Sequence, residues 1–174
     1  MKPPTLVILG LLAGSTALAQ QPTQYLGLRT PANDFTVRVT EDGLSSPQFQ
    51  LGLDEEGLRG RAFGYPVNIS LEDGQVGGIY GAGPVNLKVK KEGDALEARG
   101  TFGGQLTNFK VGPQGLTGTV GRCSYQLKAS QGDRYQGWRS CGYGLETPVI
   151  LSIPPAVADG NERLLAVLSV VLSQ

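Results

Sequence analysis

Four times along the middle of this chain, a pair of glycines separated by two or three residues introduces a run in which apolar and polar residues alternate. Gly60 and Gly64 precede Val67, Ile69 and Leu71; Gly78 and Gly81 precede Val85, Leu87 and Val89; Gly118 and Gly121 precede Tyr125, Leu127 and Ala129. Gly100 and Gly103 precede Phe109 and Val111 in a looser copy, because Thr107 takes the first apolar position. Alternation with period two puts every second side chain on one face of an extended strand, so these runs are half-buried β-strands. The unit recurs every 18 to 22 residues, which is room for two strands and their turns.

The same alternation begins at Phe35, Val37 and Val39 and continues at Phe49, Leu51 and Leu53. The intervening positions are polar: Thr36, Arg38 and Thr40; Asn68, Ser70 and Glu72; Asn86, Lys88 and Lys90; Ser124, Gln126 and Lys128. One face meets a core and the other meets water, as in antiparallel sheets. Between the runs lie Glu41-Asp42-Gly43, Asp54-Glu55-Glu56-Gly57, Glu72-Asp73-Gly74, Glu92-Gly93-Asp94 and Gln131-Gly132-Asp133. Asp bonds its own backbone in turns and Gly adopts positive φ without a clash, so these segments predict tight hairpins. About twelve strands are legible. In the first strand of each unit the inward series alternates small with large, as in Leu58, Gly60, Ala62 and Leu116, Gly118, Val120. Repeated glycine weakens a flat strand but suits a strongly curved one. The expected fold is therefore all-β: an antiparallel meander of hairpins in a barrel-like or strongly curled sheet, with a β-solenoid as the alternative.

Residues 1–19 have the form of a secretory signal, with Lys2, an apolar run from Leu6 to Ala13 and the small-residue site Ala17-Leu18-Ala19. The expected location is outside the cytoplasm, periplasmic or secreted. That run is shorter than the ~20 residues of a membrane-spanning helix, so no membrane span is expected. Without Lys2 the chain carries fourteen basic and fifteen acidic residues, a balance that offers nucleic acid no electrostatic footprint. Cys123 and Cys141 are the two cysteines, and in an exported chain they pair as a disulfide. With no His in the sequence, neither a metal site nor any other cofactor site is expected.

Residues 20–34 read as an N-terminal arm and 35–154 as the repeated hairpin domain. After Pro154 and Pro155, residues 155–174 change character: Asp159 and Glu162 have capping-box spacing before the apolar run Leu164 to Leu172. The run is too short for a bilayer and too apolar for water. It is expected to form a helix covering one mouth or face of the sheet, with a final buried strand as the alternative.

Around a turn centred on Gly132, facing residue numbers sum to 264, which sets Cys123 opposite Cys141, Tyr125 opposite Arg139 and Leu127 opposite Gly137. Facing residues in an antiparallel pair are close enough for a disulfide. This register puts Trp138, the only Trp, on the outer face near Gln126 and Lys128, where the C-terminal segment or N-terminal arm is expected to cover it. The alternative is an exposed aromatic platform that binds a glycan or a protein partner. Arg139 falls on the inner face; because an unpaired buried cation is costly, a bulge at Gly137, Gly142 or Gly144 is expected to turn it outward. Trp138, Arg139, Arg134, Arg122 and Tyr143 make up the candidate binding surface.

Without His, triad and His-based acid/base chemistry are absent. Most of the fifteen acids sit in turns, leaving Glu97, Glu146 and Glu162 with no spacing that joins them. The functional expectation is a non-catalytic binding or structural domain of the cell envelope or extracellular space. The alternatives are an inhibitor using the disulfide hairpin and a carboxylate-only hydrolase of envelope polysaccharide. An enzyme should place Glu97 or Glu146 in a cleft facing a second acid, and a binder should expose Trp138.

Overall fold

The computed structural model describes residues 23–142, 144–158 and 160–174. Among them fourteen strands form one closed antiparallel barrel in meander order. The first six are β1 (Gln24–Arg29), β2 (Asp34–Thr40), β3 (Gly43–Ser46), β4 (Phe49–Leu53), β5 (Gly57–Ala62) and β6 (Tyr65–Glu72). They continue as β7 (Gln75–Tyr80), β8 (Gly83–Glu92), β9 (Ala95–Phe102) and β10 (Gln105–Gly112). The last four are β11 (Gly115–Val120), β12 (Cys123–Ala129), β13 (Arg134–Cys141) and β14 (Thr147–Ser152). Each strand pairs with its sequence neighbours, and β1 closes the ring on β14 through Gly27–Ser152, Leu28–Leu151 and Arg29–Ile150. The antiparallel order throughout excludes the solenoid. Two strands lie beyond the twelve legible in the sequence: β1, inside the segment expected to be an arm, and β3, whose one buried apolar residue is Leu44.

The wall keeps its apolar side chains inside. Phe49, Leu58, Ile69, Leu87, Phe109, Leu116 and Leu127 are almost wholly buried, while Lys88, Lys90, Arg99 and Lys110 point outward. That polarity is the inverse of an outer-membrane barrel, whose apolar band faces lipid. No described helix is long and apolar enough to cross a membrane.

A ring of eight strands is filled by side chains alone, whereas sixteen or more leave a channel. Fourteen strands therefore leave an axial space, and helix α1 (Asn161–Leu172) occupies it. Every residue from Leu164 to Leu172 is buried, which for a helix means burial all the way round. The tail thus passes through the sheet's interior and does not lie across a mouth. Its twelve residues span about 18 Å at 1.5 Å per residue. Strands of about seven residues at 3.3 Å each, tilted about 40°, rise by nearly the same height.

Both ends of α1 are tied to the wall. The Glu162 carboxylate accepts a hydrogen bond from the Gly74 amide in the β6–β7 turn at 3.1 Å. Glu162 therefore serves the turn; Asp159, its expected capping partner, lies outside the described residues, and the N-cap is Gly160. At the opposite mouth the Tyr125 hydroxyl donates to the Leu172 carbonyl. Gln174 donates to the Tyr80 hydroxyl at 3.0 Å.

The glycine repeat has two roles. Its first glycines, Gly60, Gly78, Gly100 and Gly118, sit in mid-strand at φ between +123° and +150°, where the wall folds sharply. A Cβ on Gly118 would stand 2.3 Å from the Asn108 carbonyl oxygen and 2.5 Å from the Phe109 Cα. Its second glycines sit in the tight turns. In the β5–β6 turn Phe63 takes the leading position at φ 50°, which is why that copy reads Gly-x-x-x-Gly. Its ring packs on Phe35 and Phe49 with centroids 5.1 and 4.7 Å away.

Gly118→Ala should destabilise the fold by about 3 kcal/mol or more, from the left-handed φ together with a backbone clash. Gly132→Ala, at a turn tip with no atom within 4 Å of the added methyl, should cost only the about 1–2 kcal/mol of the left-handed conformation. Urea unfolding of the two variants checks the difference; equal losses would remove the close-approach role.

Candidate functional site

The β12–β13 hairpin has the register its sequence implies: Cys123 faces Cys141, Tyr125 faces Arg139 and Leu127 faces Gly137. Cys123 and Cys141 form the disulfide. Because the pairing runs unbroken, no bulge turns Arg139 outward. Its guanidinium points into the mouth of the barrel and donates to the Gln174 carbonyl at 2.8 Å. The last turn of α1 has no basic residue of its own, so a wall arginine supplies the positive charge that a helix C-terminus favours. Beside it, burial raises the Tyr125 phenol above its ordinary pKa, with Arg139 partly opposing. Burial also raises Tyr80, against hydrogen bonds from Ser173 and Gln174.

With Arg139 assigned to the interior, its neighbour Trp138 must face out. It is 51% exposed and stands on the outer wall between Gln126 of β12 and Pro148 of β14. The expected cover is not there: α1 is inside the barrel, and β1 lies in the wall on the far side of β14. Trp138 borders a groove of about 310 Å³ whose other lining residues include Thr117, Thr119, Ser124, Gln126 and Glu146. The groove therefore offers one exposed aromatic face, several hydroxyls, an amide and one carboxylate, with Arg139 its one basic residue.

The remaining candidates do not gather here. Arg134 is at the other end of β13, opposite Ser152, in a groove of about 610 Å³ along the β1–β14 seam. Arg122 sits in the β11–β12 turn, its carbonyl accepting from the Gly142 amide. Tyr143 lies outside the described residues. Thr117, Thr119 and Ser124 were missed because each is unremarkable in its own strand. The available signal was phase: they occupy the outward positions of strands that pair beside Trp138.

A shallow pocket of about 280 Å³ beside the start of α1 gathers Glu55, Glu72, Asp73 and Glu162 with Arg163, whereas Glu97 and Glu146 lie elsewhere. Glu97 is held by Arg99 at 2.6 Å, Glu162 by the Gly74 amide, and no second carboxylate lines the groove containing Glu146. Among the described residues no group of His, Cys, Asp or Glu could hold a metal ion. Comparison with known protein families, curated proteins and solved structures finds no match to this chain.

The titration behaviour follows from these placements. Tyr80, Tyr125 and Tyr135 all have raised folded-state values, with burial the leading cause in each. A raised phenol contributes stability that is complete below the unfolded value of about 10 and is lost as pH rises through the folded value. With no His to titrate, unfolding free energy should stay nearly flat from about pH 6 to 9 and fall above about pH 10. Tyr125→Phe should shallow that alkaline fall. Urea titrations across this range check it; a steep change near neutrality would contradict it.

Proposed function

We propose that this protein is an exported, non-catalytic β-domain that binds a partner in the cell envelope or extracellular space through the outer wall around Trp138. The supporting observation is that the chain's one Trp is half exposed in a polar groove. A large aromatic left in water, beside hydrogen-bonding groups, has the composition of a contact surface. Cys123–Cys141 fixes the upper end of the strand that carries it. The signal-type leader and the disulfide are the features that support export.

The two alternatives have less in their favour. A carboxylate-only hydrolase needs paired acids a short distance apart, and Glu146 is the one carboxylate of its groove. An insertion-type inhibitor needs a projecting loop, whereas β12 and β13 are paired on both sides within the wall.

The test is co-sedimentation of the full chain with three insoluble glycans, peptidoglycan sacculi, cellulose and chitin, comparing wild type with Trp138→Ala and with Arg38→Ala on β2. Wild type and Arg38→Ala should be retained by at least one of them. Trp138→Ala should lose at least about tenfold in affinity, the 1.4 kcal/mol or more expected of a hot-spot aromatic. Equal retention of all three proteins would refute the proposal, and retention of none would refute a glycan as the partner.

A further inference from the structure

The groove beside Trp138 continues. Thr117 lines it and also lines a second outer-wall groove of about 530 Å³, with Glu92, Asp94, Lys110, Gln114 and Lys128. The two meet along the outer face of β11, and the alternation explains why. The outward residues of β11 are Gly115, Thr117 and Thr119, all small. Its neighbours present longer side chains, Asn108 and Lys110 on β10 and Gln126 and Lys128 on β12, with Trp138 one strand further. Small residues make a floor, long ones make walls, and the trough runs the length of a six-residue strand, about 20 Å at 3.3 Å per residue.

We infer that this trough binds a linear, uncharged oligosaccharide, several sugar units long, with Trp138, level with Thr117 across Gln126, stacking on a ring beside the middle of the trough. The inference rests on the Trp138 binding surface proposed above and adds the class and extent of its ligand. The length comes from the two grooves joined at Thr117. The hydroxylated chemistry comes from the floor and walls, where Thr117, Thr119, Ser124, Gln114 and Gln126 both donate and accept hydrogen bonds. The lack of charge comes from the balance along the trough. Lys110 is paired with Glu92 at 2.9 Å, Lys128 and Asp94 line the same groove with opposite charges, and Glu146 stands beside Trp138. Arg139, the one basic residue of the upper groove, spends its guanidinium on the Gln174 carbonyl. A polyanion thus finds no net positive wall. An extended peptide usually gains affinity by adding a strand to a free sheet edge, and the described β1–β14 ring is closed.

The experiment is fluorescence titration of the full chain, using Trp138 as the only indole. The probes are three neutral series (β-1,4-linked glucose, mannose and N-acetylglucosamine, each as dimer, tetramer and hexamer), an acidic galacturonate hexamer and a mixed-sequence extended peptide. At least one neutral series should perturb the signal, with Kd falling at least tenfold from dimer to hexamer and the galacturonate binding at least tenfold more weakly. Thr117→Arg, which blocks the middle of the trough, should abolish the gain with length; its folding is verified by circular dichroism. The length dependence of wild type stands as evidence whether or not that variant folds. A neutral-sugar response without length dependence, or an equally tight galacturonate, would overturn the inference and leave the Trp138 surface standing. A response to the peptide alone would also overturn it and identify a protein partner. No response to any probe would overturn both.

Discussion

A closed ring of fourteen strands encloses more volume than side chains on its own wall can fill, and that volume has to be occupied by something apolar. The rest of the molecule follows from this constraint. The chain answers it with α1, a helix apolar on every side that would have no stable place in water. The wall is shaped around that helix: its inward residues are mostly aliphatic and aromatic, and several of the polar exceptions meet helix ends, while Thr107 bonds the Gln105 carbonyl of its own strand. Arg139, Tyr125 and Tyr80 meet the C-terminal end, and the Gly74 amide meets Glu162 near the N-terminal end. Among the described residues no buried side-chain polar atom lacks a partner.

Filling the lumen has a functional consequence. Small barrels commonly hold a ligand inside, but here the interior is already core. The proposed recognition surface is accordingly on the outer wall, where the alternation that buries Leu116 and Val120 necessarily turns Thr117 and Thr119 to solvent. The glycine kinks belong to the same arrangement, since a strand that bends at Gly118 lets the sheet curl tightly enough to close. A single property of the sequence, its period of two, thus determines both the core and the surface on which a ligand would lie.

The local parts of this were readable from residues alone. The pairing of Cys123 with Cys141 follows from symmetry about Gly132, and the outward phase of Trp138 follows from the same register. The inaccuracies arise where the answer lay far away in the chain. Arg139 was expected to escape through a bulge because no partner was visible nearby; its partner is the carbonyl of Gln174, thirty-five residues on. Cover for Trp138 was expected from the tail because nothing local says that the tail goes inside. That depends on strand number, and β1 buries only Leu26 and Leu28 and β3 only Leu44, an alternation too weak to be counted in advance. Of the site, Trp138 and its neighbour Gln126 were legible. The floor of the trough was not, because Thr117 and Thr119 acquire meaning only from the strands beside them.

Native-state hydrogen exchange on the backbone amides of α1 tests the threaded helix most directly. If α1 is the core of the barrel, its amides from Leu165 to Leu172 should exchange only through global unfolding, as slowly as the best-protected amides of β6 to β9. The rates of both should then change together with denaturant. Faster exchange of α1 at a rate independent of the strands would show a helix that leaves a barrel still folded, and would contradict the account.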